Sequence, residues 1–394
     1  MKPTIFVKLS FMMLLEYFIW GAWYVTMGTY MATFLESTGV QIGAAYSALA
    51  IATMISPFFV GMVADRFFSA QRILGVLHIT GALLLYLATI VSSNAIFYWI
   101  ILVYSLLYMP TIALTNSIAF GQMTDPGKQF PWIRVFGTVG WIVAGVLISS
   151  LGWDKSAATF ILAAIASLTL GILSFAMPNT PPKGKTTDNP LGTEALVLFK
   201  DKAYLIFFIA AILVCIPLAF YYSFANVFFN DLGMSNVAFK MSLGQFSEAL
   251  FILAIPFLFN QIGVKNMLML GMGAWALRYV CFALGNVDAG LWMLYTGIIL
   301  HGICYDFFFV TGYMYTEKKA GEKIKNAAQG LFTFATYGTG MVIGSNFAGY
   351  ATDYFTTDGV HNWQSIWLVP ASIALSVLLY FILFFKEKRQ LESN

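Results

Sequence analysis

Charge is what this chain has least of. Only 10% of its 394 residues are Asp, Glu, Lys or Arg, whereas soluble domains carry roughly a quarter. A water-solvated globule is excluded. Cysteine is scarce too, and Cys215, Cys281 and Cys304 each stand alone inside an apolar run. That spacing makes neither a disulfide framework nor a zinc site, so packing is their expected role and no metal is expected. There is no phosphate loop and no paired nucleophile and base, which argues against an enzyme and against a cofactor. The basic residues are scattered over short loops at a net charge of +3, so nucleic acid is not an expected partner.

What is present is apolar. Hydrophobic residues make up 59% of the chain and aromatics 17%. Apolar runs of about 18 residues or more read as membrane spans, and they are expected at 6–35, 41–63, 73–91, 96–121, 130–151, 156–177, 204–229, 236–259, 266–284, 289–315, 324–352 and 362–385. The fold class expected is an all-α membrane protein of twelve transmembrane helices embedded in a lipid bilayer. The first run follows Lys2 and Lys8 but shows no small-residue cleavage site, and it is too long for a signal-peptide core. It reads as a retained helix. Twelve spans put both termini on one side. Of 21 Lys and Arg, only Lys155 and Lys240 fall on the opposite side, and Arg278 falls inside a span. The positive-inside rule therefore places both termini in the cytoplasm.

The longest polar break, MPNTPPKGKTTDNPLGTEALVLFKDK at 177–202, separates two sets of six spans. The expected division is a first half at 1–178, a cytoplasmic linker at 179–202 and a second half at 203–394. Internal similarity supports it. TFLESTGV at 33–40 resembles VFFNDLGM at 227–234, and GTVGWIVAG at 137–145 resembles GTGMVIGSN at 338–346. Repeats of this kind build transporters, with the substrate site near the midplane between repeats.

Between the second and third spans, GMVADRFFSAQR (61–72) resembles the signature loop of the major facilitator superfamily through Gly61, Asp65, Arg66, Ser69 and Arg72. An Asp flanked by Arg at a helix end can hold a neighbouring helix in one conformation and release it in another, so Gly61, Asp65, Arg66 and Arg72 form a candidate conformational gate. The corresponding loop of the second half, FNQIGVKN (259–266), keeps only Gly263 and Lys265.

Ionisable groups at bilayer depth cost about 2.5–3.5 kcal/mol on insertion scales and persist by facing a wet cavity or a partner. Glu16, His78, Glu248, Arg278, His301 and Asp306 lie at such depth, with Arg134 near one end of the fifth span. Arg134, Thr138 and Trp141 share a helix face, presenting a guanidinium, a hydroxyl and an indole to a polar, planar ligand, unless Arg134 merely reaches for headgroups. Gln245 and Glu248 share another face and suit hydroxyls. Tyr305 offers a ring, and Asp306, turned by about 100° from it, offers a carboxylate. Burial and a nearby cation pull a carboxylate's proton affinity in opposite directions, as a reversible proton site requires; a static pair with Arg278 is the competing reading. Glu16 is the second proton-site candidate. His78, His301 and Arg278 read as structural or secondary.

Seven blocks resemble the bacterial nucleoside:H⁺ symporters of the major facilitator superfamily: FIWGAWYVTMGTYM (18–31), YMPTIALTNSIAF (108–120), WIRVFGTVGW (132–141), SEALFILAIPF (247–257), HGICYDFF (301–308), AAQGLF (327–332) and DGVHNWQSIWLV (358–369). The likeness spans both halves. It implies a twelve-helix major facilitator fold with two pseudo-symmetric halves in the bacterial inner membrane, taking up a nucleoside with H⁺ by alternating access. It implies substrate-binding positions at Arg134, Thr138, Trp141, Gln245, Glu248, Tyr305 and Asp306; for proton coupling, the residues themselves offer Asp306, with Glu248 and Glu16. Asn226 is retained in the seventh span, but Ala219 and Tyr222 stand where the family has Gln and Asn, and Glu16 stands where it usually has Gln. These departures imply an altered base or sugar preference. A monomer is expected. The alternatives are a proton-coupled symporter for a sugar or other hydroxylated metabolite and, in another class, a membrane ligand sensor.

Overall fold

The computed structural model describes residues 2–66, 68–181 and 192–386; the side chains of 57–66, Gly127, Pro256 and Asn260 lie outside the description. The chain is helical almost throughout: α1 Pro3–Trp23, α2 Met27–Phe34, α3 Gly39–Arg66, α4 Ala70–Ala88, α5 Asn94–Phe120, α6 Pro126–Ser150, α7 Ala158–Ser174, α8 Lys202–Asp231, α9 Val237–Leu284, α10 Leu291–Tyr305, α11 Thr311–Thr333, α12 Met341–Tyr354 and α13 Trp363–Phe384. A two-stranded hairpin, β1 Thr356–Thr357 with β2 Val360–His361, precedes α13. Among the described residues, ten helical segments are long and apolar enough to cross a membrane. One of them, the 64-residue Leu291–Tyr354, turns back at Gly321, and the 17-residue Ala158–Ser174 adds one more. Twelve crossings result. Outward-facing Leu250 and Leu253 are 70% and 78% exposed, as lipid-facing side chains must be.

Helix ends depart from the sequence expectation where the backbone chemistry demands it. The first span breaks into α1 and α2. The Thr26 hydroxyl bonds back to the carbonyls of Ala22 and Trp23, which bends helices. Tyr46 then satisfies the opened backbone, accepting from Gly28 N at 3.1 Å and donating to Tyr24 O at 2.7 Å. Within α9, Gly263 takes φ 74 and ψ 165, and within α11 Gly321 takes φ 65 and ψ 179. Both are conformations that glycine adopts without strain, and each turns one crossing into the next. Part of the expected linker, 182–191, lies outside the described residues. The rest includes a 3-10 helix, Thr193–Lys200, and Asp201 caps α8.

The chain divides into two compact units. The first comprises Met1–Pro190, Phe220–Gln245 and Ser345–Tyr354. Here α1 packs on α6 through missing side chains: a Cβ at Gly140 would lie 2.1 Å from Leu14 O, and one at Gly137 would meet the Tyr17 ring at 2.7 Å. Small residues permit this approach where no hydrophobic force separates helix from lipid. Two carboxylates hold helix starts in the same unit. Asp353 accepts from Gly39 N (2.5 Å) and Val40 N (2.9 Å) at the head of α3. Asp154 accepts from Ala238 N (2.7 Å) at the head of α9, and Ser149 joins it by accepting from Phe239 N. Orphan N–H groups at a helix start favour an anion.

The second unit comprises Leu191–Ala219, Phe246–Gly344 and Phe355–Asn394. The first half of α9 meets α10 at Gly302, where a Cβ would collide with Ser247 Oγ and Glu248 N at 2.5 and 2.6 Å. Ser247 donates across the contact to Ile299 O at 2.5 Å. Two π-helical turns, Asp306–Val310 and Phe334–Gly340, follow α10 and α11.

Candidate functional site

In the first unit, Tyr17 and Trp20 of α1 and Tyr24 at its C-cap share one face, at the i, i+3, i+7 spacing of a helical stripe. Trp20 packs edge-on to Trp141 of α6 at 5.5 Å, and Tyr24 lies 5.4 Å from Tyr222 of α8. Trp141, Tyr222 and Gln245 then line a cleft together with Gly21, Val25 and Met241. Gly21 keeps this approach close, because a Cβ there would sit a tight 3.1 Å from Trp141. The cleft is narrow, with room for about one water, so a larger occupant needs Trp141 and Tyr222 to part. Two rings and an amide suit a flat, polar heterocycle.

Arg134, one turn before Thr138 on α6, stacks its guanidinium 4.1 Å above the Tyr17 ring; Thr138 is half-buried. Asn226 is buried and already engaged, its carbonyl oxygen accepting from Thr29 Oγ1 at 2.6 Å and from Asn230 Nδ2 at 3.1 Å. Glu16 is fully buried. It faces His78 Nε2 at 3.0 Å and Thr111 Oγ1 at 2.6 Å, and its carbonyl accepts from the Tyr108 hydroxyl at 2.6 Å. His78, read from sequence as structural or secondary, is the partner of this carboxylate. Of the gate candidates, Arg72 is exposed on α4, whereas the side chains of Gly61, Asp65 and Arg66 lie outside the described residues.

In the second unit, Arg278, His301 and Glu248 form a chain. Arg278 Nη1 lies 2.9 Å from His301 Nδ1, and His301 Nε2 lies 3.9 Å from Glu248. Arg278 is the donor, so His301 Nδ1 is the acceptor and its proton, when neutral, sits on Nε2 toward Glu248. A static Arg278–Asp306 hydrogen bond is not formed. Asp306 is fully buried at the start of the first π turn, and neither of its oxygens has a hydrogen-bond partner among the described residues. Glu248 lies near enough to act on it electrostatically. Tyr305 packs, tilted, against the His301 ring at 5.6 Å and shares a hydroxyl–hydroxyl hydrogen bond with Tyr337 of the second π turn. Ala219 binds nothing polar and packs its methyl against Gly344.

A family model described as nucleoside H⁺ symporter matches residues 3–390. The chain belongs to that family. Its relatives in Escherichia coli (strain K12) include the transporter YegT, 43% identical over 98% of this chain and 95% of that one. The xanthosine permease is 37% identical over 97% and 96%. The crystal structure of the nucleoside transporter NupG superposes with a TM-score of 0.91 at 32% identity, covering 98% of this chain and all of that one. The fold is thus the twelve-helix major facilitator architecture, and the family is one of transporters rather than enzymes.

Sequence reasoning overlooked Tyr17, Trp20, Tyr24, Tyr337 and the partnership of His301. The aromatic stripe of α1 was available as a period. Tyr337 was not, because it meets Tyr305 through two π turns that leave no mark in composition.

Proposed function

We propose that the chain takes up a nucleoside together with H⁺ across the bacterial inner membrane by alternating access, as a monomer with both termini in the cytoplasm. The cleft bounded by Trp141, Tyr222 and Gln245 carries this reading. Aromatic faces suit a nucleobase and the amide suits its edge or the ribose, consistent with what the relatives' names say of them. Arg134 and Thr138 supply further polar contacts from α6, with Tyr17 holding the guanidinium at the ready. Glu248 and Tyr305, on α9 and α10, remain substrate-binding positions by the family resemblance. Asn226 acts through Thr29 and Asn230, fixing the wall behind Tyr222. Tyr222 and Ala219, in place of amides, shift preference among bases or sugars rather than abolish binding.

Asp306 is the proton site of this reading. Burying it as an anion without hydrogen-bond partners is costly, so a proton is the partner it lacks. Glu248, which acts on it electrostatically, and the neutral His301 beside Glu248 are the groups through which substrate and proton feel one another. The division at 1–178, 179–202 and 203–394 is kept as the working boundary of the repeats, with Gly61, Asp65, Arg66 and Arg72 as the gate. Competition assays in proteoliposomes test the substrate. Uridine or adenosine should block uptake and simple sugars should not; the reverse pattern would transfer the chain to sugars or other hydroxylated metabolites.

A further inference from the structure

Hydrogens can be counted in the buried cluster around Glu16. Ser167 donates its hydroxyl proton to His78 O at 2.9 Å and lies 3.1 Å from His78 Nδ1. A hydroxyl has one proton, so at the second contact Ser167 accepts and Nδ1 carries hydrogen. One further proton then lies in the 3.0 Å contact between Nε2 and Glu16 Oε2. On the other side of the carboxylate, Thr111 Oγ1 lies 2.6 Å from Glu16 Oε1 and 2.5 Å from Tyr108 O. Both are acceptors while Glu16 is ionised, and Thr111 has a single proton for them. The cluster is one proton short of filling its contacts. A proton added at Oε1 would let Glu16 donate to Thr111 while Thr111 turns to Tyr108 O.

We infer that Glu16, His78 and Thr111 form a second proton-binding centre, so that this chain moves two protons with each substrate. The inference rests on the proton-coupled reading given above and adds a site to it. Titratable groups reach the cluster from each element packed on it: His78 from α4, Tyr104 and Tyr108 from α5, and Tyr17 next along α1. From α6 the charged group is Arg134, over Tyr17, and α7 contributes only the Ser167 hydroxyl. Loading the proton removes a negative charge one residue from the ring on which Arg134 rests. That links the second proton to the cleft through Tyr17, which carries Arg134 and adjoins Trp20, the ring packed on Trp141. The positions combine an acid with an imidazole, where the family resemblance supplies an uncharged Gln in place of the acid.

The test is the nucleoside accumulation that balances an imposed pH difference in proteoliposomes whose membrane potential is clamped at zero. One pH unit sustains about a 10-fold gradient with one coupled proton and about a 100-fold gradient with two. The wild-type protein should reach the larger value. Glu16→Gln should fall to the smaller, and so should Thr111→Val, which keeps the charge pair and removes the hydroxyl that must turn. A wild-type value at the 10-fold level overturns the inference without any variant, and so does a value unchanged in Glu16→Gln. Thr111→Val decides the matter if Glu16→Gln fails to fold. Absence of gradient-dependent uptake would instead remove the underlying reading of a proton symporter, a distinct result.

Discussion

A single carboxylate separates accumulation from equilibration in this account. Replacing Asp306 with Asn keeps its shape and removes its titration. Accumulation against a gradient should then fail while exchange of labelled for unlabelled nucleoside survives; unimpaired accumulation would remove Asp306 from the coupling role. Trp141→Ala should weaken binding by about 1–3 kcal/mol, the usual value of a ring stacked on a base, read as a rise in the half-saturating nucleoside concentration. Outside the membrane, Asp201 offers a pH test. Partial burial pushes its carboxyl up, but the Lys319 ammonium at 2.7 Å and the Ala203 and Tyr204 backbone N–H groups outweigh this and hold it below the ordinary carboxylate range. A depressed folded-state value means the stabilisation is present above the unfolded value and lost as pH falls through the folded one. Thermal unfolding of wild type and Asp201→Asn should therefore differ at neutral pH and converge in acid. At this scale much of the site could be read in the residues themselves, since a polar group at bilayer depth announces itself. Partners could not. Nothing near His78 or His301 in sequence names Glu16 or Arg278, because those contacts are made across helices.

Elements meet where side chains are missing and where helix starts are capped. Adding a methyl at Gly302 drives it into the backbone at Glu248. Overpacking of this kind costs about 1–3 kcal/mol, and Gly302→Ala should lower the melting temperature and displace Glu248 from His301. The two capped starts invite a second test. Asp353→Asn and Asp154→Asn each leave backbone N–H groups at the head of α3 or α9 with a weaker acceptor, at about 0.5–2 kcal/mol per lost cap. Their combination should loosen these ends and raise the reactivity of cysteines placed beside Gly39 and Ala238 toward a water-soluble reagent. Unchanged reactivity would show that the caps do not hold these ends shut. The spans were legible, and the similar stretches at 137–145 and 338–346 precede Asp154 and Asp353 respectively. The break of the first span was not, because it depends on Tyr46 reaching back to Tyr24 and Gly28 from another helix. The reversals at Gly263 and Gly321 were visible only as polar interruptions.

At the scale of the whole molecule, an almost uncharged chain gathers the buried Glu, Asp, His and Arg side chains of its described residues into two clusters. One surrounds Glu16 in the first unit, and the other holds Arg278, His301 and Asp306 with the partly exposed Glu248 in the second. Charges so costly in lipid are retained when they do work, and binding protons in exchange for substrate movement is the work that explains both. The central claim is tested by uptake of labelled nucleoside into proteoliposomes under an inward proton gradient. The account predicts accumulation above the external concentration, collapse on adding a protonophore, and competition by uridine or adenosine with none by simple sugars. Uptake that ignores the protonophore, or that sugars block and nucleosides do not, would contradict it.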